Sequence, residues 1–165
     1  MHEQLYLFLM NYVENGFYFK PRLTNHYCRL EKGFWFIGNE KYIQTSFWIE
    51  SDTKSYISEI GIGFRFNGEL VIPYADLCCR GDDSKEAAFS EIADTLRYVR
   101  KIKRNGVPWN YWEMQFAIHW KSAFSDYIDN YIPVITDVIN RHGMHQERVD
   151  RQQFNAYIDN INRYR

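Results

Sequence analysis

The chain has 165 residues, 45% of them apolar and 25% charged, the make-up of one folded domain that builds its own core. Its 20 basic and 21 acidic residues give a net charge of −1, which excludes a protein that coats nucleic acid along its whole length but not one with a local basic patch. No stretch nears the roughly 20 apolar residues of a membrane span, and no signal peptide is indicated at the start.

The three cysteines, Cys28, Cys78 and Cys79, form no CxxC pair, and the expectation is reduced thiols in a cytoplasmic protein. Aromatic residues make up 18% of the chain, which implies large flat contact surfaces, either buried or available to a partner.

Leu5, Phe8, Leu9, Tyr12 and Val13 fall at helical spacing, and Asn15-Gly16 ends the run, so the first element is a helix. From Phe34 to Cys79 the apolar period is two, and four antiparallel strands are predicted at Phe34–Ile37, Tyr42–Glu50, Ile57–Phe66 and Glu69–Leu77. A four-residue connection at 38–41 joins the first pair. Asn67-Gly68 joins the last pair as a tight hairpin. Pro73 cannot donate to a ladder, which places the fourth strand at an edge or a bulge.

Alternation sends Ile43, Thr45, Phe47 and Ile49 inward with Ile60, Ile62, Phe64 and Phe66. The reverse face then carries Tyr42, Gln44, Ser46 and Trp48 beside Glu59, Gly61, Gly63 and Arg65.

A long helix is expected from an Asp83–Glu86 capping box through Phe89, Ile92, Ala93, Leu96, Val99 and Ile102, with a basic C-terminal end. Alternation from Trp112 to Trp120 predicts a fifth strand. Ser122 can cap the next helix, which Pro133 kinks or divides, and a last amphipathic helix runs through Phe154, Tyr157, Ile158 and Ile161. The expected fold is therefore a single α+β domain over 1–165. It has a twisted antiparallel sheet of about five strands and about four helices, in the order α-β-β-β-β-α-β-α-α.

The local signatures of phosphate loops, nucleophile elbows, zinc proteases and calcium loops are all missing, so no catalytic residue, metal or cofactor is assigned. Asp52-Thr53-Lys54 has the D-x-K form used by metal-dependent nucleases, but it sits in a polar turn with no aspartate upstream. His142 and His145 are three apart, yet Gly143 between them argues for a helix end rather than a metal site. His26 and Cys28 lack two further ligands nearby.

Two features point to binding. Lys20, Arg22, Arg29 and Lys32 interleave with aromatics that run on into Trp35, a pattern that suits phosphates and stacked bases, and Arg100, Lys101, Lys103 and Arg104 form a second basic cluster. Trp48 laid over Gly61 or Gly63, with Tyr42 and Arg65 nearby, would form a flat apolar floor for a planar ligand or a partner's side chain. One of the C-terminal helices is expected to cover that floor.

The leading reading is a non-catalytic binding protein whose contact surface comprises Arg22, Arg29, Trp35, Tyr42, Trp48 and Arg65, engaging a protein partner or a second copy. The alternatives are a nucleic-acid-binding accessory protein using Lys20, Arg100, Lys101, Lys103 and Arg104, and a metal-dependent hydrolase around Asp52 and Lys54.

Overall fold

The structure is a computed structural model and describes residues 1–20, 37–51, 57–80, 85–101, 109–144 and 149–163. The elements run α1 (His2–Val13), β1 (Ile37–Asn39), β2 (Tyr42–Ser51), β3 (Ile57–Asn67), β4 (Leu70–Arg80), α2 (Glu86–Leu96), β5 (Val99–Lys101) and β6 (Trp109–Gln115). They continue as α3 (Trp120–Asp126), a π turn (Tyr127–Tyr131), α4 (Ile132–Arg141) and α5 (Arg151–Arg163). Among the described residues the strands form one antiparallel sheet in the order β1-β2-β3-β4-β6-β5, so the expected α+β fold is present.

As far as Phe47 the period-two pattern sorts β2 onto the two faces as it predicts; beyond it Trp48 pairs with Ile60 and Ile49 with Glu59, the reverse of the expected faces. Ile43, Thr45, Phe47, Ile60, Ile62 and Phe64 are buried, while Phe66 is half-buried. The helices pack on this face through rings. Phe64 meets Trp120 at 5.4 Å and Phe124 at 5.3 Å, Phe47 meets Tyr127 at 5.9 Å, and Phe116 meets Phe124 at 6.1 Å. Leu5 and Leu9 of α1 are fully buried in the same core, and Phe154 of α5 closes it against Phe19 at 5.1 Å. Much of the aromatic excess is thus spent inside the protein, where tilted and edge-to-face pairs add to plain burial.

Several local expectations change. The β3–β4 hairpin turns on Gly68-Glu69, one residue later than expected, with Asn67 paired to Leu70. Gly68 alone carries the positive φ there, 61°, which suits a two-residue turn with glycine first. The β1–β2 connection is likewise two residues, Glu40-Lys41, because Gly38 and Asn39 belong to the strand.

β4 is not an edge strand: it lies between β3 and β6. Pro73 is tolerated because its carbonyl accepts from Phe116 N–H (2.9 Å) on the β6 side. Its nitrogen therefore faces that side too, just past the last ladder pair, Tyr74 with Gln115, and no rung with β3 is lost.

The long helix stops at Leu96 rather than at Ile102. Arg97 adopts the left-handed conformation (φ 62°), Tyr98 N–H closes back on the Ala93 carbonyl at 2.8 Å, and the chain continues as strand β5. Of its expected Asp83–Glu86 capping box, residues 83 and 84 lie outside the described residues, and Glu86 is the first residue of α2. The fifth predicted strand, β6, ends at Gln115, and α3 begins after His119 rather than being capped by Ser122. The run around Pro133 is divided as expected, into α3 and α4, with Pro133 in the first turn of α4. Between them lies a single π turn in which Ile132 N–H bonds to Tyr127 O, five residues back, and the helix resumes as α4.

α5 starts on a reciprocal cap that the sequence reading missed. Gln153 N–H donates to Asp150 Oδ1 at 2.8 Å and Asp150 N–H to Gln153 Oε1 at 3.4 Å. Asp150→Ala is expected to lower stability by about 1 kcal/mol, the usual worth of such a cap. Urea unfolding checks this, and a midpoint equal to the parent's would show that the cap contributes nothing.

Candidate binding site on the reverse face of the sheet

Between Ser46 and Trp48 the β2–β3 register slips by one residue. Gln44 pairs with Gly63 and Ser46 with Gly61, but Trp48 pairs with Ile60. Phe47 is the extra residue of a bulge. Trp48 therefore stands opposite Ile60 of the inward set and Ile49 opposite Glu59 of the reverse set, so past the bulge the pairing exchanges the faces expected for β2, and the face around the two glycines is built from polar groups instead. The ring contacts described between helices and sheet fall on the opposite face, so the helical cover expected here is not what the described residues provide.

The glycines shape this face by what they leave out. A Cβ on Gly61 would lie 2.7 Å from Thr45 O, 2.9 Å from Gln44 Nε2 and 3.1 Å from Asp76 Oδ1. Bare backbone at this position lets Gln44 and Asp76 reach across β3 and meet, with Nε2 to Oδ1 at 3.0 Å. The same amide lies 3.3 Å from Glu59 Oε1, Ser46 Oγ donates to Glu59 Oε2 at 2.7 Å, and the buried Tyr74 hydroxyl donates to Gln44 Oε1 at 2.8 Å.

On β4 and β6 two carboxylates stand directly opposite each other, Asp76 and Glu113, only 2% and 5% exposed. Like charges in this position repel, so the pair persists only with compensation. For Glu113 that compensation is extensive. Arg65 donates to its Oε2 through Nε (3.0 Å) and Nη2 (2.6 Å), Tyr111 OH donates at 2.8 Å, and Gln115 Nε2 reaches Oε1 at 2.8 Å.

Burial works to raise the Glu113 pKa, but the bonds from Gln115, Arg65 and Tyr111 outweigh it and hold the carboxyl below its ordinary range. Burial likewise opposes the charge on Arg65, yet Tyr74, Tyr111 and Glu113 keep its pKa above the usual value. Burial, aided by Asp76, pushes the Tyr74 and Tyr111 hydroxyls well up, so both remain donors at neutral pH. Arg65 also lies over the rings of Tyr74 (4.5 Å) and Tyr42 (5.4 Å).

Of these groups Tyr42, Gln44, Glu59, Arg65, Asp76, Tyr111 and Glu113 line a concavity of about 480 Å³, with Lys101 and Cys78 completing its wall. Tyr42 and Arg65, both read from sequence as contact residues, are brought together here, and Lys101 joins them from the nucleic-acid set. Asp76 and Glu113 were missed. The available signal was a charged residue inside the apolar run Tyr74-Ala75-Asp76-Leu77 and another on the polar side of β6.

The two basic clusters do not come together among the described residues. Lys20 bridges Ser46 at the β1 side of the sheet and Arg100 and Lys101 lie on β5 at the other edge, five strand spacings or about 24 Å away. Lys20 Nζ is 6.0 Å from the Tyr157 ring. Arg100 leans over Trp112 at 5.7 Å, donates to Asn110 and sits 3.8 Å from Glu86, while its neighbour Lys101 lines the concavity on the reverse face.

Arg22, Arg29, Trp35, Lys103, Arg104, Asp52, Lys54, His26, Cys28 and His145 lie outside the described residues. His142 bonds Glu91 of α2 at 2.6 Å, tying two helix surfaces together. Among the described residues no group of three or more His, Cys, Asp or Glu side chains could hold a metal ion, and no helix is long and apolar enough to cross a membrane. Cys78 and Cys79 are buried and in no disulfide among the described residues. Comparison with protein-family models, with curated proteins and with solved structures found no match to this chain.

Proposed function

We propose that the protein is a non-catalytic binding protein that receives a polar group of a protein partner in the Arg65–Glu113 concavity. The observation that carries this reading is a pocket of about 480 Å³ whose walls are charged and fixed by one another's hydrogen bonds. A wall already held in place loses little entropy when a partner docks. Among the described residues Lys101, which is exposed, makes no ion pair and Glu59 is bonded by the neutral donors Gln44 and Ser46, so both signs of charge are available to a guest. The chemistry supports binding over turnover: Glu113 is a weakened base, and Tyr74 and Tyr111 keep their protons. A second copy of the chain is one form the partner can take.

A photo-crosslinking residue placed at Tyr42, on the rim, tests this in the producing cell, with Asp94 on the exposed side of α2 as control. A protein captured from position 42 and not from 94, and lost on Lys101→Glu, is the expected result. Identical capture profiles at the two positions would refute the reading.

A further inference from the structure

A second groove lies between the end of α1 and the π turn and has nothing to do with the sheet site. It encloses about 570 Å³, room for one or two apolar side chains. Its floor is apolar, built from Phe17, Ile128 and Ile132, whose bulk is buried. Its rim carries Asp129, Asp137 and Asn140, and among the described residues no lysine, arginine or histidine lines it.

The two carboxylates differ. Asp137 is already held by Arg141 one turn on (3.0 Å), an exposed pair of small worth. Asp129 has no hydrogen bond or ion pair among the described residues.

We infer that this groove docks a segment of a protein partner that presents an apolar side chain flanked by lysine or arginine. The apolar group covers Phe17, Ile128 and Ile132, and the cation meets Asp129. An acidic rim disfavours the other common occupants of exposed surfaces, nucleic acid and anionic lipid, because both bring negative charge to it. The cation supplies orientation and association rate, and the apolar side chain adds affinity by leaving water.

The test uses the full chain, labelled with ¹⁵N, and an acetylated hexapeptide alternating lysine with leucine. Two matched controls carry glutamate in place of lysine, or serine in place of leucine. The lysine–leucine peptide is expected to shift the amides of Phe17, Ile128, Thr136 and Asn140, with both controls at least about ten-fold weaker. Asp129→Lys, an exposed change, is expected to weaken that binding by a similar factor with the melting temperature unchanged. Thr136→Trp, which fills the groove, is expected to abolish it. Arg65→Met leaves it intact, which separates this site from the concavity on the sheet.

Equal binding of the lysine and glutamate peptides would overturn the inference. So would shifts that map elsewhere, or full affinity in Asp129→Lys. If one variant melts early, the other and the glutamate peptide still decide the question.

Discussion

Gly63→Ala is expected to destabilise the protein by about 3 kcal/mol or more, enough to lower the melting temperature by about 6–12 °C in a chain of this size. The added methyl would stand 2.1 Å from the Ile43 carbonyl oxygen and 2.9 Å from Gln44 Cα. Both are backbone atoms of the neighbouring strand, so no rotamer change relieves the overlap. β2 must move away from β3, and the sheet loses rungs on which Ile43, Ile62 and Phe64 depend for their packing. Thermal unfolding followed by circular dichroism reads the effect. A melting temperature within about 2 °C of the parent would mean that β2 and β3 are not in this register.

Arg65→Met is expected to cost about 2 kcal/mol at pH 7. Removing one partner of a buried pair leaves the other charge uncompensated, at about 3–5 kcal/mol, and the partial exposure of Arg65 reduces that figure. The deficit is expected to depend on pH in a definite direction. Glu113 has a folded pKa below its unfolded one, so it adds stability that is present above the ordinary carboxylate range and lost as the pH falls through the folded value. Without Arg65 that depression is largely gone, so parent and variant converge in acid, where Glu113 is protonated in both. What remains there is the packing of the guanidinium on Tyr74 and Tyr42. Urea unfolding at several pH values measures the gap. A deficit that does not shrink anywhere on the acid side of pH 7 would show that Arg65 does not act through Glu113.

What the sequence made legible was the pattern with a period. The α1 stripe, the inward set on β3 and the inward residues of β2 as far as Phe47 follow from spacing alone, because burial selects every second or every third and fourth residue. Three events without a periodic signature escaped. The bulge at Phe47 leaves the sequence alternation intact, since Phe47 and Ile49 keep the apolar beat while the pairing slips beneath them. The end of α2 is made by an arginine in a conformation usually given to glycine, and Val99 fits the helix spacing as well as it fits a strand. β4 reads as an edge because of Pro73, and only the length of β6 shows that the missing donor has no rung to break.

The site was half legible for the same reason. Tyr42, Gln44, Glu59, Gly61, Gly63 and Arg65 were placed on one face by alternation within two strands that a hairpin meander puts side by side. Asp76 and Glu113 come from strands whose adjacency spans a helix and a further strand, so nothing local brings them together. Composition misled in one respect: it counts rings without saying whether they face a partner or one another, and many of these face one another.

The concavity around Arg65 is best tested by titrating the ¹⁵N-labelled protein with blocked single amino acids: arginine, lysine, glutamate and leucine derivatives at millimolar concentrations. Saturable shifts at Gly61, Gly63, Asp76 and Glu113 with at least one charged probe, and none with leucine, are the expected outcome. If every probe leaves those four amides still, or leucine moves them as far as the charged ones do, the reverse face of the sheet is not a polar binding site.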